Sequence, residues 1–150
     1  MNLPHEQGSP LKKKSIAFQG EHGAYSEQAI KKLSGESPIT IPCRSFREML
    51  NLVQYGKADY AILPVENSLA GTVIPAYDAL VDSDLLVQAE VMLRIEHCLM
   101  APKGKTICDI KYVISHHQAL SQCSEHLEKE GLVAKEYYDT AGAARDLGTL

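Results

Sequence analysis

Glu66-Asn67-Ser68 places a carboxylate, an amide and a hydroxyl in consecutive positions, directly after the apolar run from Tyr60 to Val65. A short run with β-branched and aromatic residues, closed by a turn, has the character of a core strand in a parallel sheet. Polar groups just past the carboxyl end of such a strand lie where open α/β sheets bind ligands. There a carboxylate can move a proton, while an amide and a hydroxyl can hold an anion. The same residues also fit a plain strand-to-helix loop, with Ser68 or Thr72 capping the amphipathic segment Val73 to Val81. Spacing alone leaves both readings open.

Three further places carry comparable groups. Ile16 to Gln19 reads as a strand, and Gly20-Glu21-His22-Gly23-Ala24 turns it into a helix from about Ser26 to Leu33. Free N–H groups and the dipole make such a helix start an anion cradle, although two glycines fit a tight turn equally well. Lys111 to Ser115 reads as another strand, running through His116-His117 into a single helix that stops at Gly131. Leu120, Cys123 and Leu127 form the buried stripe of that helix, and Gln118 and Gln122 lie together on roughly the opposite face. Asp139-Thr140 closes the strand Ala134 to Tyr138 and caps a helix beginning at Ala141.

The elements that position these groups alternate strand and helix. Ile39 to Cys43 is a strand, and Ser45 with Glu48 forms a capping box ahead of a helix ending at Tyr55-Gly56. An apolar stretch from Leu85 to Met92 and a strand from Ile95 to Ala101 then break the rhythm. That break sets the expected organisation: a disordered tail over 1–14, a first α/β lobe over 15–95 and a second over 96–150.

Bulk properties narrow the function. The chain has 150 residues, 45% hydrophobic and 23% charged, with a net charge of -4, the balance of a soluble globular protein. An acidic chain without a basic stripe is not expected to bind nucleic acid, since nothing neutralises phosphates. No apolar stretch approaches the ~18 residues of a membrane span, and the N-terminus lacks a secretory signal, so a cytoplasmic location is expected. Cys43, Cys98, Cys108 and Cys123 form no C-x-x-C pair, and His97-Cys98 and His116-His117 lack ligand spacing. Reduced thiols and no metal site are the expectation.

Taken together, Gly20-Glu21-His22-Gly23-Ala24-Tyr25-Ser26, Val65-Glu66-Asn67-Ser68, Ser115-His116-x-Gln118-Ala119-Leu120-x-Gln122-Cys123 and Asp139-Thr140-Ala141-Gly142-Ala143-Ala144 resemble four successive motifs of the prephenate dehydratase family. His117 departs from the pattern, which usually has proline there. The resemblance implies an α/β fold of two lobes, similar to type II periplasmic binding proteins, with the ligand cleft between lobes. It implies conversion of prephenate to phenylpyruvate with loss of carbon dioxide and water, in L-phenylalanine biosynthesis, without a cofactor. Glu66, Asn67 and Gln122 are the implied catalytic residues. Ser26, Ser68, Ser115, Thr140 and Ala141 are the implied substrate contacts.

Two departures bear on activity. The family's Thr-Arg-Phe motif does not occur in these residues, and neither does the ACT domain through which L-phenylalanine regulates the family. The 150 residues are therefore expected to be a piece of a longer gene product and inactive alone. Exposed apolar surface should favour a homo-oligomer. The substrate supplies its own driving force by becoming aromatic, so the protein need only orient it and stabilise the departing hydroxyl. Glu66 has two open roles: a proton donor whose pKa rises beside a dianion, or a brace accepting backbone hydrogen bonds. Arogenate dehydratase, and a non-catalytic module binding small anions, are the competing readings.

Overall fold

The computed structural model describes residues 13–35 and 38–149. The tail expected over 1–14 lies, as far as residue 12, outside the described residues. The fold is α/β, with two separate parallel sheets and one short hairpin.

Strand β1 (Ser15–Gln19) organises the first sheet. Its residues Ile16, Ala17 and Phe18 are all buried, a run only a strand covered on both faces permits. It lies between β2 (Ile39–Cys43) and β3 (Tyr60–Ile62), in parallel register Ile16↔Thr40 and Ile16↔Tyr60. The two-residue period of the strand splits the core. Ile16 and Phe18 meet Ile30 of α1 (Tyr25–Ser34) on one face, while Ala17 meets Met49 and Leu50 of α2 (Phe46–Gln54) on the other. Phe18, Ile30 and Met49 are fully buried, and each contributes about 1.5–3 kcal/mol through burial.

Local signals set most element ends. Ser45 Oγ accepts the Glu48 N–H at 3.1 Å, as a capping residue should, but the Glu48 carboxylate takes the Arg44 N–H at 2.8 Å. The expected capping box is thus displaced by one residue. Strand β3 stops at Ile62, short of the expected Val65, ahead of Pro64, which has no N–H for a ladder. Glu66-Asn67 and Gly71-Thr72 then pair antiparallel as β4 (Glu66–Asn67) and β5 (Gly71–Thr72), a hairpin the sequence reading missed. Helix α3 (Ile74–Val81) follows with Pro75 in its first turn and no side-chain cap. Neither Ser68 nor Thr72 caps it.

Residues 84–102 form no strand or helix, which corrects the expected strand from Ile95 to Ala101. A strand exists only through its partner, and no ladder among the described residues receives this stretch. Several of its apolar side chains stay exposed, with Leu86 at 81% and Met92 at 84%, while Leu85 packs on the core. Side chains tie it down instead: Lys32 Nζ donates to the Met92 carbonyl at 2.7 Å and the Tyr25 hydroxyl to that of Glu96 at 2.6 Å.

Beyond it, β6 (Tyr112–Ser115) and β7 (Val133–Glu136) form the second parallel pair, in register Tyr112↔Val133. The connection is two short helices, α4 (His117–Gln122) and α5 (Ser124–Lys129), where one was expected. At Cys123 the N–H bonds the Leu120 carbonyl three residues back, at 3.1 Å, and the ψ angle opens to 4°. The apolar stripe survives the break: Leu120 and Leu127 pack with Leu132, Val113 and Cys123. Helix α6 (Thr140–Asp146) packs on β6, its Asp139 cap accepting the Gly142 N–H at 2.7 Å.

Candidate functional site

An open concavity of about 2670 Å³ is bordered by both sheets' connections. Its lining includes five of the eight expected site residues: Ser26, Glu66, Asn67, Ser68 and Gln122. A smaller depression of about 340 Å³ beside α2, lined by Ser45, Glu48 and Tyr55, gathers no comparable set of groups.

Asn67 is oriented by its own turn. Its Oδ1 accepts the N–H groups of Leu69 and Ala70 at 2.9 and 3.0 Å. Backbone N–H groups can only donate, so the amide cannot flip, and Nδ2 faces away without a hydrogen bond among the described residues. Gln122, in the last turn of α4, is held the same way by other means. Its Oε1 lies 2.8 Å from His97 Nε2, a contact in which the imidazole donates when its proton is on Nε2. Gln122 Nε2 is the one buried side-chain polar atom among the described residues without a partner. Two neutral donors of fixed orientation therefore border one space.

Glu66 is exposed, and its carboxylate makes no hydrogen bond or ion pair among the described residues. Ser26 and Ser68 also border the concavity, with hydroxyls that make no hydrogen bond among the described residues. Ser26 stands inside the first turn of α1, whose start has no side-chain cap.

Ser115, Thr140 and Ala141 are elsewhere. Buried Ser115 donates its hydroxyl to Thr140 Oγ1 at 3.0 Å, tying the end of β6 to the start of α6. The start of α6 packs against the Gly20–Gly23 turn: a Cβ on Gly20 would lie 3.6 Å from Asp139 Oδ2, and one on Gly23 would lie 4.0 Å from the Ala141 methyl. The two turns also share polar contacts. Arg145 Nη1 donates to Glu21 Oε2 at 2.7 Å, and the Tyr138 hydroxyl donates to Glu21 Oε1 at 3.2 Å.

The anion expected at the start of α1 is the chain's own Glu27. Its carboxylate takes the Gly23 N–H at 2.7 Å, the Thr40 hydroxyl at 2.7 Å and His22 Nδ1 at 2.8 Å. Burial opposes ionisation, but the donors from Gly23, Thr40 and His22 outweigh it and pull the carboxyl down to about 2. That turn is closed to a ligand anion.

Sequence reasoning passed over Glu27, Tyr25 and His97. Glu27 carries a signal, an acid four residues after a glycine in a helix's first turn. His97 carries none in its spacing; it was weighed only as a metal ligand. Burial holds the Tyr25 hydroxyl above its usual range, and the ring meets His97 edge-on with centroids 5.7 Å apart.

These features define an α/β protein on parallel sheets, with two amide side chains among the residues lining one concavity. The pattern of the prephenate dehydratase family matches residues 16–149, and the chain belongs to that family, a lyase family of phenylalanine biosynthesis. It is similar to the arogenate dehydratase/prephenate dehydratase 2, chloroplastic, of Arabidopsis thaliana, 42% identical over 132 residues, 88% of this chain and 34% of that protein. Among solved structures it is similar to GqqA, described as a novel type of quorum quenching acylases, with a TM-score of 0.79 and 36% identity, covering 89% of this chain and 49% of that one. It is also similar to the prephenate dehydratase of Arthrobacter aurescens in complex with L-Phe, with a TM-score of 0.71 and 28% identity, over 89% and 45% of the two chains. The chain spans about a third of the length of the curated relatives it matches.

Proposed function

We propose that this chain carries the substrate-orienting part of a dehydratase acting on prephenate. The concavity would be the ligand cleft between two lobes, one built on each parallel sheet. The supporting observation is the pair of amides with tied oxygens, Asn67 and Gln122, both among the residues that line the concavity with Glu66 and Ser68. Each amide has its carbonyl end tied inside the protein and its N–H end unpaired. A negatively charged net surface binds a dianion only through such local donors, and neutral amides do so without titrating.

In the reaction the ring carboxylate leaves as carbon dioxide, and the released electron pair enters the ring. The C–O bond to the ring hydroxyl breaks, and the departing hydroxide takes a proton to become water. The protein's part is to hold the carboxylates and meet the charge developing on that oxygen. Glu66 is placed to supply the proton if it is protonated beside the dianion. Titrating prephenate into the chain while following the Asn67 and Gln122 side-chain amide signals tests the reading. Specific shifts of both are expected, and a titration that moves neither would remove it.

Arogenate as the substrate has its own supporting observation. The unpaired Glu66 carboxylate on the concavity matches the ammonium group that arogenate carries in place of the keto oxygen of prephenate. A carboxylate there attracts the amino acid and repels the keto acid. Comparing binding of the two ligands by the chain and by Glu66→Gln decides: a variant that gains relative affinity for prephenate supports arogenate.

A further inference from the structure

Gln122 Nε2 is shielded from solvent and has no hydrogen-bond partner, although the residue borders the concavity. Folded proteins leave few such atoms unpaired, and one that persists calls for a reason. The arrangement around it supplies one. The amide's oxygen, the end that would repel an anion, is occupied by His97 Nε2 at 2.8 Å. The nitrogen, the end that attracts an anion, is left over. Asn67 shows the same division, its oxygen taken by two backbone N–H groups and its nitrogen unpaired.

His97 is itself held in place from the other half of the chain. Its ring meets Tyr25 edge-on at 69°, and the Tyr25 hydroxyl bonds the Glu96 carbonyl at 2.6 Å while standing 3.4 Å from His97 Nδ1. Tyr25 opens α1, and Gln122 ends α4. The segment bearing His97 belongs to no strand or helix, so these side chains are what fix the imidazole. A chain of contacts thus runs from α1 through His97 to the Gln122 amide.

We propose that His97 is a positioning residue: its Nε2–H holds the Gln122 carbonyl so that Gln122 Nε2 donates to an anionic oxygen of the bound substrate. The proposal rests on the reading of the concavity as a dehydratase substrate site. A His97→Phe variant keeps an aromatic ring against Tyr25 but has no donor, whereas His97→Gln keeps an N–H at comparable reach.

Nitrogen-15 spectra of the ligand-free chain and prephenate titrations of all three proteins test it. The wild type should show His97 as the Nε2–H tautomer and an ordered Gln122 side-chain amide. His97→Phe should lose that order and bind prephenate roughly tenfold more weakly at an unchanged melting temperature, the scale of one hydrogen bond to a charged group. His97→Gln should recover most of the affinity. A His97 found as the Nδ1–H tautomer, or a His97→Phe variant binding as tightly as the wild type, would overturn the proposal. Failure of the wild type to bind prephenate or arogenate would instead remove the substrate reading. The ligand-free spectra would then still decide the tie: an Nε2–H tautomer whose loss disorders Gln122 supports it, and an Nδ1–H tautomer overturns it.

Discussion

The Gly20–Ser26 turn with the start of α6, and the Glu66–Ser68 hairpin with the end of α4, begin from the same kind of sequence: polar residues where a strand gives way to the next element. They end differently. In the first region nearly every group is answered from within, since Glu27 fills the cradle at Gly23, Ser115 answers Thr140, and Asp139 caps Gly142. In the second, among the described residues, Asn67 and Gln122 each keep a side-chain donor unpaired, and the side chains of Glu66 and Ser68 make no hydrogen bond. A strand end becomes a candidate ligand site when the protein orients its polar groups without satisfying them.

The sharpest way to break this comparison is Asn67→Asp. Aspartate keeps the oxygen that accepts from Leu69 and Ala70, so the turn should survive with its melting temperature. It loses the outward donor and places a negative charge there. Prephenate affinity should fall by about two orders of magnitude, on the ~1.5–3 kcal/mol scale of a hydrogen bond to a charged group. Calorimetric titration showing unaltered affinity would make the open region no more a site than the closed one.

Glu27→Gln should do the converse. The carboxylate is nearly buried and accepts from three donors, so the amide should lower stability by about 2 kcal/mol while leaving prephenate affinity unchanged. The pH dependence has a definite sign. Because the folded carboxyl lies near 2 against an ordinary 4.5, its contribution is complete above about pH 4.5 and is lost as pH falls from there toward 2. Denaturant melts of the wild type should weaken across that window, and Glu27→Gln should flatten the decline. An equally steep decline in the variant would place the acid sensitivity elsewhere.

Glu66→Gln carries a smaller effect on folding and a diagnostic one on binding. With no partner to lose, stability should stay within about 0.5 kcal/mol. The variant's preference should shift from arogenate toward prephenate, because the amide no longer attracts an ammonium group. A variant that melts markedly lower would revive a bracing role. The smallest change should come from Glu21→Gln, which removes the exposed contact to Arg145 and Tyr138. Exposed pairs are screened by salt, so its melting temperature should differ from wild type only at low ionic strength.

Much of this was legible in the residues. β1 and β2 appear over the runs expected for them, and Ser45 and Asp139 cap the helices they precede, because those preferences act over three or four residues. The four motifs point to the family for the same reason, being contiguous and ordered. The single helix expected over Ser115 to Gly131 failed at Cys123, where the apolar stripe reads straight through a break in the backbone. The strand expected from Ile95 to Ala101 failed because alternation reports a backbone's readiness to pair and says nothing of a partner.

The sequence by itself determined the alternation of strands and helices, the apolar stripe of Leu120, Cys123 and Leu127, and the candidacy of Glu66, Asn67 and Gln122. It could not sort the eight expected site residues into the five that border the concavity and the three packed at the start of α6. That division depends on contacts between residues far apart in the chain: Glu27 with Thr40, Ser115 with Thr140, and His97 with Gln122. A side chain's type states what it can bond, while only the folded arrangement decides whether the bond is already made.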